Sequence, residues 1–177
     1  MDDTEFWSRL QQLVDDHRTE ADFHKLCKLF RESTLAQRQQ IRAFRNVSGR
    51  RWIVPAVDTL ASGEPTAVPP EVRVRDALTW QAIEGGAHDI RDSLMSIVLI
   101  YHSAARLGMD VVALFDEVAE LAAPDMREAI ASFPRRAQED RSLAAFSYVE
   151  IPTAKGVRYE YRAGPFAAGA KRPGGTP

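Results

Sequence analysis

Few side chains in this sequence have a type and spacing that could do chemistry. The first to weigh are His88, Asp89, Asp92 and His102. His88 and Asp92 stand four residues apart, so a helix turns both toward one face and offers two of the three or four ligands that zinc requires. A metal-dependent enzyme using His88 and Asp92 is therefore one reading of the chain. His102 does not complete that site, because the helix between it and His88, at about 1.5 Å per residue, keeps them roughly 21 Å apart. Asp89 and Asp92 also have a plainer role, as the N-cap and first-turn acid of a helix that starts near residue 90.

A nucleophile needs a base beside it. His24 precedes Cys27 by three residues, a spacing that allows contact on a helix. Cys27, however, falls in an apolar stripe with Phe23, Leu26 and Phe30 and reads as a small buried hydrophobe. The patterns GxSxG, HExxH, GxGxxG, the P-loop and paired CxxC do not occur, so none of the chemistries with a strong short signature is indicated. Gly85-Gly86 reads as a helix stop, since no Lys-Ser/Thr pair follows it. No catalytic residue and no cofactor are expected.

What remains is charge. Residues 25–51 carry eight bases against the single acid Glu32, whereas residues 1–24 carry seven acids and two bases. Residues 52–128 swing back to thirteen acids against five bases, and residues 129–177 hold eight bases and four acids. Arg38, Arg42 and Arg45 share one helix face, and Arg50 and Arg51 adjoin Trp52. Such a surface suits an acidic protein partner or a phosphate backbone. Pairing with the acidic helices of the same chain explains the alternating charge blocks without any partner. A sequence pI near 6.1 is low for a nucleic-acid domain, so the leading expectation is a non-catalytic protein-binding module, immunity- or antitoxin-like, that masks a protein partner through a charged surface. Its contacts are expected at Arg38, Arg42, Arg45, Arg50, Arg51 and Trp52. Nucleic-acid binding through residues 25–51 is the alternative.

The elements that must position these residues are helices. With 177 residues, 45% hydrophobic and 27% charged, the chain fits one globular domain that needs no staple. One cysteine excludes an intramolecular disulfide, and the opening MDDTEFWSRL lacks the basic and apolar regions of a signal peptide. A cytoplasmic location is expected. The Arg- and Ala-rich composition points to a bacterial source. The longest apolar run, Leu94 to Tyr101, is far short of the ~20 residues a bilayer requires, so no membrane partner is expected.

The 3/4 spacing of Phe6, Leu10, Leu13, Val14 and His17 predicts a first helix, and Thr19 caps a second along Phe23, Leu26, Cys27 and Phe30. Ser33 or Thr34 caps a third, from Leu35 to about Asn46. A turn-rich loop, residues 61–70, separates an N-terminal helical half (1–60) from a C-terminal one (71–134). The latter opens with a helix from Glu71 to Glu84. A central helix from Ile90, apolar nearly all round, is the expected core. Gly108 stops it, Asp110 caps the next helix, and Pro124 starts one more that Pro134 ends.

From Phe146 to Arg162 the period changes to two, which predicts a hairpin with Phe146, Tyr148, Tyr159 and Tyr161 on one face. Trp7 and Trp52 lie off the clearest stripes and are expected to be partly exposed. Residues 163–177 are rich in Gly and Pro and are expected to be a disordered tail. The sequence thus predicts a mainly α protein, an irregular bundle of six to seven helices in a single domain 1–162. HEAT-like helix pairs are the other arrangement compatible with the short turns.

Overall fold

A computed structural model describes the backbone of residues 1–16, 19–48, 60, 67–84, 90–154 and 156–163. It describes the side chains of 1–13, 19–43, 60, 67–84, 96–145 and 151–154. The described chain is a bundle of seven helices followed by a hairpin: α1 (Asp3–Asp16), α2 (Glu20–Glu32), α3 (Leu35–Ser48), α4 (Pro70–Glu84), α5 (Ile90–Arg106), α6 (Val111–Ala119), α7 (Pro124–Glu139), β1 (Phe146–Thr153) and β2 (Gly156–Ala163). None of the described helices is long and apolar enough to cross a membrane.

Local signals set most of these boundaries. Asp2 accepts the Glu5 amide at 2.8 Å and so opens α1. Thr19 and Asp22 form a reciprocal capping box at the start of α2: Asp22 N–H donates to the Thr19 hydroxyl, and Asp22 accepts from the Thr19 amide. Each satisfies a donor that the helix leaves unpaired. Of the two candidates at the start of α3, Thr34 is the cap. Its hydroxyl accepts from the Gln37 amide, while Gln37 Oε1 accepts from the Thr34 amide. Ser33 instead closes α2, donating its hydroxyl to Leu29 O at 2.6 Å. Gly108 takes φ +71°, a left-handed turn open to glycine at little cost, and Asp110 caps α6 through the Ala113 amide.

Pro134 does not end α7, which continues to Glu139. A proline inside a helix removes one amide donor. Here Pro134 and Ala137 are both buried, and α7 packs along α6, so tertiary packing carries the helix past that missing bond.

One cluster of buried side chains runs from Phe6 to Ile130 and draws on both sides of residues 61–70. Phe6, Phe23, Phe30, Phe115, Leu78 and Ile100 are among its largest fully enclosed members, each contributing roughly 1.5–3 kcal/mol by leaving water. The helix at its middle is α4, against which α2, α3, α5 and α6 all pack. Ten of its residues are buried, among them the polar Arg73, Asp76, Thr79 and Gln81. Described residues of α5, the helix expected at the centre, include the buried Ile97, Val98, Ile100 and Ala104. Tyr101 meets Phe115 and Phe133 edge-on, joining α5 to α6 and α7.

The hairpin pairs β1 with β2 antiparallel, with Tyr148 opposite Tyr161 and Glu150 opposite Tyr159. By alternation this register places Phe146, Tyr148, Tyr159 and Tyr161 on one face of the ribbon. The pairing runs one residue past Arg162, to Ala163, and Gly156 opens β2 opposite Thr153. β2 packs against α5. The tail expected beyond it lies outside the described residues.

Candidate functional site

The polar side chains on α2 meet those on α4 in a seam, because Glu20, His24, Cys27 and Arg31 recur at four, three and four residues and so share one helix face. Asp76, with a side chain only 2% exposed, is the hub. Its Oδ1 accepts from Arg31 Nη1 at 2.7 Å, and its Oδ2 lies 2.7 Å from His24 Nδ1. A carboxylate only accepts, so Nδ1 carries the proton. Arg31 also donates to the Thr79 hydroxyl at 3.1 Å, and Arg73 Nε donates to Glu20 at 2.5 Å. Both oxygens of the buried carboxylate therefore have hydrogen-bonded partners, which its burial demands.

Cys27 and His24, weighed as nucleophile and base, both turn to Asp76. The Cys27 thiol donates to Asp76 O at 3.5 Å and is fully buried. Burial, helped by the negative charge of Asp76 and opposed by Arg31, pushes that thiol well above its ordinary range. A thiol held protonated in the core is inert as a nucleophile.

The expected arginine face divides. Arg42 Nη2 donates to Leu121 O at 2.7 Å and to Ala82 O at 3.2 Å, and its guanidinium lies 5.1 Å from the centre of the Phe30 ring. Ala82 belongs to the last turn of α4, and Leu121 follows the end of α6. The Ala82 carbonyl is among those a helix end leaves unpaired, where a cation is favoured. Burial, reinforced by neighbouring Arg38, lowers the pKa of Arg42 from its usual value. Arg38 turns to Ser33 O at 3.2 Å and, more loosely, toward Glu120 O at 3.5 Å. The Arg45 side chain and residues Arg50, Arg51 and Trp52 lie outside the described residues, as do the side chains of His88, Asp89 and Asp92. His102 packs its Nε2 against Ala144 O at 2.6 Å. Among the described residues, no group of three or more His, Cys, Asp and Glu is placed to hold a metal ion.

On the other side of α2 the charges face solvent. A pocket of about 310 Å³ opens between Arg9 and Leu13 of α1 and Lys25, Lys28, Leu29 and Glu32 of α2. Lys25, Lys28 and Arg9 keep 63%, 60% and 50% of their side chains exposed, while Leu13 and Leu29 are buried. Glu32 is shared loosely by Arg9 at 3.7 Å and Lys28 at 3.8 Å. The sequence reading did not single out this pocket. Its signal was present in the (i, i+3) spacing of Lys25 and Lys28 on the outer face of α2. Trp7, 46% exposed on α1, has the partial exposure expected of it.

No protein-family model matches the chain, and no curated protein and no solved structure matches it.

Proposed function

We propose that this chain is a non-catalytic protein-binding module, of the immunity or antitoxin kind, that masks a partner through a charged surface. The observation that carries this reading is how its polar side chains are used. Those with reactive potential among the described residues, His24, Cys27 and Asp76, close on one another inside the α2–α4 seam. Two exposed and loosely paired lysines, Lys25 and Lys28, stand beside an open pocket between α1 and α2. Surface charges that complement a partner steer association and set specificity. Arg45, Arg50, Arg51 and Trp52, whose side chains lie outside the described residues, are proposed as further partner contacts. Arg38 and Arg42 donate to backbone carbonyls within the fold, which leaves them less available to either kind of partner. The sequence pI near 6.1 is what gives the nucleic-acid alternative less support.

Affinity purification from the native host at moderate salt, read by mass spectrometry, tests the proposal. One protein recovered in fixed ratio to the bait is the expected result. Repeated recovery of no specific protein overturns it.

A further inference from the structure

We infer that the pocket between α1 and α2 is the docking groove for an acidic, aliphatic segment of the partner protein. This inference rests on the protein-binding reading above. Of the two acids among the described residues that line the pocket, Asp22 is buried and bound to the amide and hydroxyl of Thr19. Its charge is thereby tied to the N-terminal end of α2, where a carboxylate is favoured. Among the described residues that line it, Glu32 is the acid left on the rim with Arg9, Lys25 and Lys28.

Glu32 also indicates what kind of group these cations take. It sits between Arg9 and Lys28 as a carboxylate, but at 3.7 and 3.8 Å neither contact reaches hydrogen-bond length. Lys25, held to Asp22 at 3.3 Å, is likewise mostly exposed. Ion pairs of this looseness in water contribute little to stability, so an incoming carboxylate meets two lysines that rearrange at small cost, while Arg9 stays hydrogen-bonded to Glu5 at 2.6 Å. Leu13 and Leu29 close the pocket on its core side, which gives an aliphatic side chain next to that carboxylate an apolar contact. A segment in which Glu or Asp adjoins Leu or Ile matches both features.

The test is a titration of the isotope-labelled full chain with a short peptide of alternating Glu and Leu, followed by backbone amide shifts. Saturable shifts confined to residues 9–13 and 25–32 are expected. Replacing the peptide's Glu by Gln, or making Lys25→Glu and Lys28→Glu in the chain, is expected to weaken binding about tenfold. Both lysines are exposed, and circular dichroism checks that the double variant keeps its helices. No saturable shift at millimolar peptide, or binding indifferent to these changes, overturns the inference. Octanoate binding at least as tightly as the peptide also overturns it, because the occupant is then a small carboxylate. Capture from the host separates the two levels. A partner still held in full by the double variant removes the groove but leaves the protein-binding reading, and no partner on either chain removes both.

Discussion

The two sides of α2 carry charge in opposite ways. Toward α4, Asp76 is 2% exposed, with both carboxylate oxygens in contacts of 2.7 Å. Toward α1, Lys25 and Lys28 are more than half exposed and their ion pairs lie at 3.3 and 3.8 Å. The first arrangement locks two helices together, since a buried charge stripped of its partner is costly. The second contributes little to the fold, and so leaves its cations open to an outside ligand. The described cations of α2 thus differ by helix face: Arg31 is tied into the seam, whereas Lys25 and Lys28 stay exposed.

The sharpest way to break this contrast is on the buried side. Asp76→Ala leaves Arg31 and His24 facing an emptied seam, and urea unfolding is expected to show a loss of about 3 kcal/mol. Arg42→Ala should follow, at about 2 kcal/mol, since the carbonyls of Ala82 and Leu121 lose their donor and Phe30 loses its cation. Arg42→Lys is not expected to restore it, because an ammonium cannot reproduce the planar fork. Lys28→Ala, measured beside it, should stay within about 0.5 kcal/mol of the parent.

Thr19→Ala removes the capping box and should cost about 1 kcal/mol in the same assay. The smallest effect belongs to Asp116, which accepts from both terminal nitrogens of Arg135. That hydrogen bonding holds its carboxyl below the usual range. A depressed carboxylate stabilises the fold above its unfolded pKa and loses that contribution as pH falls through its folded one. Asp116→Asn should therefore flatten the acid limb of the stability curve slightly, and molar salt should erase the difference.

Much of the fold was legible in the sequence, for physical reasons that particular residues show. The 3/4 spacing of Phe6, Leu10 and Leu13, and of Phe23, Leu26 and Phe30, marks faces that do enter the core. Thr19, Asp110 and Pro124 mark helix starts through backbone groups that any helix must satisfy. The central place of α4 was hidden, because its buried positions include Arg73, Asp76, Thr79 and Gln81. Pattern reading assigns such residues to the surface, whereas Arg73, Asp76 and Thr79 are buried with partners on α2. Pro134 misled for a similar reason, since a local rule gave way to packing.

The candidate site was less legible. Arg38 and Arg42 share a face with Arg45 by spacing alone, yet that spacing cannot reveal that the ends of α4 and α6 lie opposite. The complementary run of Glu20, His24 and Arg31 against Arg73 and Asp76 was the available clue to the seam.

The most direct test is the footprint of the captured partner on this chain, read by hydrogen exchange of the complex against the free protein. Protection centred on residues 9–13 and 25–32, with residues 38–42 unchanged, is the result this account expects. Protection centred on residues 38–42, with the groove between α1 and α2 unchanged, would contradict it.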